Sequence, residues 1–467
     1  MSYLSPEFAV FFLAFLVLYW SLGKWGQTQK VLLLVASYGL YASLDWLFAV
    51  ILGAYSACLL LFLAAVNRWP DRRRAIVGVA VFLSVLNLAF FKYFDFVRDM
   101  IQSGAAQLGF DVAIPALDII GVVGISFYTF QSIAYLVAVG RAEREPAAWR
   151  DSLLYLAFFP TLLAGPICRP GVLLTQIENG ETRRMVNPDL AIFLLLSALV
   201  KKVWLASWVA EAWVKPLFAN PDAFQGPELL VGMYAYAVQI YLDFSGYSDL
   251  VIGMAMLLGY QLPDNFNFPY LARNLREFWR RWHISLSTWI RDFVYIPMGG
   301  SRGSWWMTQG ILLSSMLISG LWHGASIKYL IWGALHGLGV IAQNAYQKLG
   351  GKPLPGKWGG FVSGIVTFNF VCLAWVFFRA DGWQEALNFL SGFARFDAPL
   401  HLNVVGGLAM LALFFAATYF SERFSRGSLT VLSRTPMLLK PLLLAAVVLV
   451  VTMLGPSGVP AFLYYSY

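Results

Sequence analysis

The sequence predicts an all-α, polytopic integral membrane protein with about eleven membrane-crossing helices and one or two re-entrant pieces. Three observations carry this. Of 467 residues, 59% are hydrophobic and 16% aromatic, while only 12% are charged. A soluble domain carries about twice that charged fraction. Apolar runs of about twenty residues recur from end to end, each long enough for a hydrocarbon core of roughly 30 Å. The short alternating segments that build a membrane β-barrel do not occur.

The first run, 8–22, has no Lys or Arg before it, and Lys24 and Lys30 after it. A signal peptide has the opposite order. A retained first helix with its N-terminus outside is expected. Further spans are expected near 31–44, 46–66, 75–91 and 115–139. The charges between them alternate. Lys24 and Lys30 lie in one loop, and Arg68, Arg72, Arg73 and Arg74 two spans later. In the next loop, between the fourth and fifth spans, Asp95, Asp99, Asp111 and Asp118 outweigh Lys92 and Arg98. This places the basic loops in the cytoplasm, and the net charge of +8 fits loops near anionic lipid.

The segment "YLAFFPTLLAGPICRPG", 155–171, is apolar but broken by Pro160, Pro166 and Pro170. It cannot cross as one helix, so a re-entrant segment shielded from lipid is expected. Spans resume near 190–213 and 227–260. The second is too long for one helix and is expected to be interrupted at "DFSGYSD", 243–249. A polar loop, "PDNFNFPYLARN", leads into "EFWRRWHISLSTWIRDF", 277–293. The remaining spans fall near 307–322, 325–346, 359–378, 403–421 and 436–455. No fixed-period repeat and no separate soluble domain stand out. A single membrane domain over 1–467, with its motif-bearing core near 115–380, is expected. Cys58, Cys168 and Cys372 are isolated, so neither a disulfide framework nor a metal site is indicated.

Ionisable groups inside membrane segments are costly and become functional candidates by default. Of the four histidines, His401 sits in a loop beside Asp397. His323 lies in a long apolar run, flanked by Gly320 and Gly324, which let another backbone or a substrate approach closely. A neutral imidazole in a dry site can take a proton from a hydroxyl, as acyl transfer requires; it can equally hydrogen-bond between helices. His336 would sit about 19 Å further along a continuous helix, too far to share a small site with His323 unless the helix breaks.

In 277–293, Glu277 and Arg281 are spaced i, i+4 as a self-neutralising pair. Arg280, His283 and Ser287 would share one polar helical face, opposite Phe278, Trp282, Leu286 and Trp289. That pattern fits an amphipathic surface helix or a helix lining a polar tunnel with His283 inward. Asp243 and Asp249, with Gln239, Tyr241, Ser245, Tyr247 and Ser248, form the densest polar island in the apolar sequence. Two carboxylates at membrane depth would orient imidazoles or hold a break in the helix. No nucleophile elbow, Gly-rich phosphate loop or nucleic-acid-binding pattern occurs.

Together, "QIYLDFSGYSDLVIGMAMLLGYQLPDNFNFPY", "EFWRRWHISLSTWIRDFVYIPMGG" and "SGLWHGASIKYLIWGALHG" resemble the membrane-bound O-acyltransferase family, in its bacterial branch that O-acetylates exopolysaccharides. "GISFYTFQSIAYLVAV" and "FFPTLLAGPICRP" are similar to the same branch. The resemblance extends over roughly residues 5–380. It implies membrane helices around a central tunnel, with His323 of the "LWHG" motif catalytic and His283 of "RRWHIS" lining the same tunnel. Asp243, Ser245, Tyr247, Asn265, Arg280, Arg281, Ser287 and Trp322 become the tunnel-lining or substrate-binding candidates. It further implies no tightly bound cofactor, acetyl-CoA as donor, and residence in the bacterial inner membrane among its lipids. The implied partners are a periplasmic SGNH hydrolase-like acetyltransferase and a polysaccharide synthesis and secretion complex. Within the branch the chain is similar to alginate and bacterial cellulose O-acetylation proteins, and a shorter C-terminal part favours cellulose. The alternatives are a transporter, which usually shows paired half-repeats not found here, and a structural subunit of a secretion complex.

Overall fold

The computed structural model describes residues 3–179, 183–436 and 439–455, and all regular structure among them is helical. Five of these helices are long and apolar enough to cross a membrane by length and composition: Trp46–Arg68, Pro70–Gln107, Pro188–Ala219, Gly356–Arg379 and Val404–Arg434. Shorter apolar helices include Pro6–Ser21 and Ile125–Gly140. The protein is multi-pass. Its chain forms two compact units, Met1–Pro188 with Met254–Pro263, and Asp189–Gly253 with Asp264–Tyr467.

In the first unit, the proline-broken segment is irregular and enclosed by protein. Short helices Trp149–Ala157 and Phe159–Leu162 are followed by non-helical backbone up to Leu173–Glu178. Residues 155–168 are buried throughout. Side-chain hydroxyls supply partners to this irregular backbone. Tyr155 donates to the Cys168 carbonyl at 2.7 Å, and the Ser37 hydroxyl accepts from the Phe159 N–H at 3.1 Å. Satisfying polar backbone within the protein is what non-helical chain at membrane depth demands.

Three expectations for this unit need correction. The span expected at 115–139 is helical only from Ile125 to Gly140. Gly124 precedes it with φ +81°, and a Cβ there would run into the Leu162 backbone, so the helix starts at a left-handed glycine. Lys30 is not in a loop: it lies in Gly26–Ala42, buried and paired with Asp151 at 2.9 Å. Asp95, Arg98 and Asp99 also lie on helix, within Arg73–Gln107, where Arg98 bridges both carboxylates at 2.7 Å.

In the second unit, Gly226–Leu257 begins a helix that runs unbroken for 32 residues, through the stretch expected to interrupt it. Its carboxylates find partners on a neighbouring helix, so the backbone has no need to open. Lys202 pairs with Asp243, and Lys201 with Asp249 at 2.7 Å. Trp305–His323 and Ile327–Lys348 form a tight antiparallel hairpin. Glycines set its closeness: a Cβ on Gly333 would lie 2.5 Å from the Met316 carbonyl oxygen, and one on Gly320 would collide with the Tyr329 carbonyl. Small residues at membrane helix interfaces allow this backbone approach. Gly356–Arg379 contributes Trp375 and Phe378 to an aromatic core that also holds Tyr270, Phe278, Trp282 and Trp332. The final expected span, 436–455, appears as Lys440–Leu454, with residues 437 and 438 outside the described residues.

Candidate active site

Residues 277–293 do not form one amphipathic helix. Helix Leu275–Arg281 ends, His283 adopts a left-handed conformation at φ 41° and ψ 56°, and helix Ile284–Ile290 begins. The shared polar face expected for Arg280, His283 and Ser287 is therefore absent. His283 is fully buried, whereas Arg280 is exposed and Ser287 half-buried.

The loop 264–267 clamps this break. Asn265 accepts from the Ile284 N–H at 2.9 Å through its carbonyl. Its side-chain oxygen accepts from the Ser285 N–H at 3.2 Å and the Ser285 hydroxyl at 2.9 Å. Asn267 donates its N–H to the Arg281 carbonyl at 2.9 Å. These bonds satisfy backbone groups that a helix break would otherwise leave buried and unpaired. Asn265 thus holds the kink that carries His283.

His323 is the last residue of its helix and is 2% exposed. Its ring lies 5.0 Å from Trp332 and 5.0 Å from Phe378, edge-on to both. Trp322, 4.9 Å from the His323 ring, is also 5.8 Å from the His283 ring. The two histidines thus share one aromatic wall, with Trp322 in contact with both. Phe244 packs edge-on against the other side of His283 at 4.6 Å.

His336 is closer to this wall than a continuous helix would allow. The chain turns at Gly324–Ser326, and Trp332 touches both the His323 ring, at 5.0 Å, and the His336 ring, at 4.9 Å. His336 is fully buried among Phe278, Trp279, Phe370 and Trp375. It belongs to the site's aromatic support.

Asp243, Ser245, Tyr247 and Trp322 are all buried, as is Asn265. Asp243 lies within unbroken helix and is held there by an ion pair. Its partner is Lys202, 1% exposed in its side chain. Sequence reasoning passed over Lys201 and Lys202, although two lysines inside an apolar helix are the kind of signal that marks function.

The basic residues before the kink differ in what neutralises them. Arg281 is paired with Glu277 at 2.7 Å, as the i, i+4 spacing predicts. Arg276 contacts the neutral amides of Asn344 and Gln347. Arg273 and Arg280 are exposed. No group of three or more metal-ligating side chains occurs among the described residues.

The model of the membrane-bound O-acyltransferase family matches residues 134–381, which span the kink, the hairpin and the lysine-bearing helix. The chain is similar to a probable alginate O-acetylase, AlgI, of Pseudomonas aeruginosa, 38% identical over 396 residues, covering 83% of this chain and 73% of that protein. It is 33% identical over 347 residues to a peptidoglycan O-acetyltransferase of Helicobacter pylori, covering 68% of this chain and 64% of that one. A teichoic acid D-alanyltransferase of Bacillus subtilis is 28% identical over 295 residues, covering 58% of this chain and 72% of that one.

Proposed function

Because the chain belongs to the membrane-bound O-acyltransferase family, we propose that it moves acetyl groups from a cytoplasmic thioester donor, acetyl-CoA, to an acceptor hydroxyl for O-acetylation of an exopolysaccharide. The bacterial inner membrane is its place of work, and a shielded tunnel joins the two sides. The direct acceptor is a serine of a periplasmic SGNH hydrolase-like partner within the polysaccharide synthesis complex. Cellulose remains the first polymer to test, with alginate beside it because a relative is named as a probable alginate O-acetylase.

His323 is the general base. It takes the hydroxyl proton as that oxygen attacks the thioester carbonyl. The carbon–sulfur bond then breaks, and the proton passes to the leaving thiolate. The imidazolium formed on the way sits at the C-terminal end of a 19-residue helix. The helix dipole stabilises a cation there by about 0.3–1 kcal/mol, and more where partly buried. The surrounding Trp322, Trp332 and Phe378 rings exclude water that would otherwise hydrolyse the thioester. Arg276, Arg280 and Arg273 supply positive charge for the donor phosphates, and His283 lines the path. The observation that carries this reading is the pairing of two buried histidines on one tryptophan, Trp322, inside the family-matched segment.

The test is acetyl transfer by purified protein in nanodiscs with labelled acetyl-CoA. His323→Ala is expected to fold and insert normally and to lose about 10²–10⁴-fold in rate. Full polymer acetylation in cells carrying His323→Ala would refute the assignment of the base. Transport of acetyl-CoA without transfer would favour a carrier instead.

A further inference from the structure

Lys201 and Lys202 sit in a π-helical stretch, Leu199–Ala206, of the helix beside Gly226–Leu257. They straddle Gly246. A Cβ on Gly246 would lie 3.1 Å from the Cβ of each lysine, so the absent side chain lets the two backbones approach without a shift. Each lysine then reaches a carboxylate three residues from that glycine. Lys202 pairs with Asp243 on one side, and Lys201 pairs with Asp249 on the other at 2.7 Å. Ser197 donates a further bond to Asp249 at 2.9 Å. Two ion pairs and a close contact thus fix both the rotation and the axial register of Gly226–Leu257 against its neighbour.

The opposite face of the same helix supports the histidine kink. At about 100° per residue, positions two before and two after Gly246 point roughly 160° away from it. Those positions are Phe244 and Ser248. Phe244 packs on the His283 ring at 4.6 Å. Ser248 accepts from the Asn265 amide at 3.4 Å, and Asn265 holds the Ser285 N–H and hydroxyl. A helix with side chains has a radius of about 5–6 Å, so a rotation of about 10° moves its far face by about 1 Å.

We propose that Lys202, through Asp243 and with Gly246 as fulcrum, is a positioning residue for His283 in the acyl-transfer reaction. This rests on the functional reading above. Lys202 touches no substrate in this scheme. It sets the angle at which Phe244 and Ser248 meet the kink. A displacement of about 1 Å at a reacting group costs about 10²-fold in rate.

Two measurements test it, one of which needs no activity. In a background with Cys58, Cys168 and Cys372 replaced by serine, Ser248→Cys with Asn265→Cys reports the register by the rate of disulfide formation under mild oxidant. Every arm carries the same pair, so the loss of Asn265 is common to all. Adding Lys202→Met is expected to slow the crosslink at least about 10-fold, and the charge exchange Lys202→Asp with Asp243→Lys to restore it, since restored pairing restores coupling. An unchanged crosslink rate in Lys202→Met overturns the proposal. The second measurement is a double-mutant cycle on acetyl transfer per folded molecule. Lys202→Met is expected to lower kcat about 10²-fold with KM held, and to cost under about 2-fold when His283 is already asparagine. Equal losses in both backgrounds overturn action through His283. If the wild type transfers no acetyl group, the functional reading fails, while the crosslink still decides whether Lys202 sets the register.

Discussion

His283 holds a left-handed backbone that non-glycine residues rarely adopt, with Phe244 and Trp322 packed on its ring. Such strain costs about 1–2 kcal/mol, and asparagine tolerates it better than most residues. Backbone and imidazole make separable demands here. His283→Asn is expected to fold with a Tm close to wild type and yet to lose about 10-fold or more in transfer, short of the loss in His323→Ala. His283→Ala keeps the strain without the local hydrogen bonding of asparagine, and is expected to be about 1 kcal/mol less stable than His283→Asn. Transfer measured beside thermal unfolding separates the two demands. Near-wild-type activity in both variants would leave His283 only a backbone role.

Among elements, the hairpin of Trp305–His323 and Ile327–Lys348 depends most visibly on individual residues. Gly333→Ala puts a methyl group against the Met316 carbonyl and the Leu317 Cα. Overpacking of this kind costs about 1–3 kcal/mol. Gly310, on the first helix of the same hairpin, has nothing within 4 Å of its virtual Cβ. Gly310→Ala is therefore expected to leave detergent-state Tm unchanged while Gly333→Ala lowers it, and equal shifts would refute a backbone-contact role for Gly333. The small residues around His323 made this close approach legible in the sequence. The break at His283 was not, because a left-handed histidine has no local sequence mark and is held by Asn265, 18 positions earlier in the chain. Nor was the continuity of Gly226–Leu257. Read alone, Asp243 and Asp249 look like a reason to break a helix; their lysines come from a neighbouring helix.

At the scale of the whole molecule, the five long spans were legible because each crossing needs a long apolar run, and runs survive without any knowledge of partners. Where a polar side chain ends up depends on packing, so Lys30 was misplaced. Orientation across the bilayer is testable with the helix Arg73–Gln107. Asp99 lies 27 residues beyond Arg72, about 40 Å along a helix and more than a hydrocarbon core. The two positions are both exposed. With the native cysteines removed, Asp99→Cys is expected to react with a membrane-impermeant thiol reagent once the outer membrane is permeabilised. Arg72→Cys should react only after lysis. The reverse labelling would put the donor on the wrong side for cytoplasmic acetyl-CoA.

The enclosure of His323 also has a history in time. Trp322 and Trp332 come from the hairpin, but the ring that covers another side, Phe378, belongs to the later helix Gly356–Arg379. Chains are synthesised from the N-terminus, and elements assemble as they emerge. A nascent chain that has delivered both histidines but not residue 378 leaves the His323 ring open on that side. On the proposed reading the shield around His323 is complete only once residue 378 has reached the membrane, and a chain truncated before Phe378 is expected to lose acyl transfer even though it carries both His283 and His323.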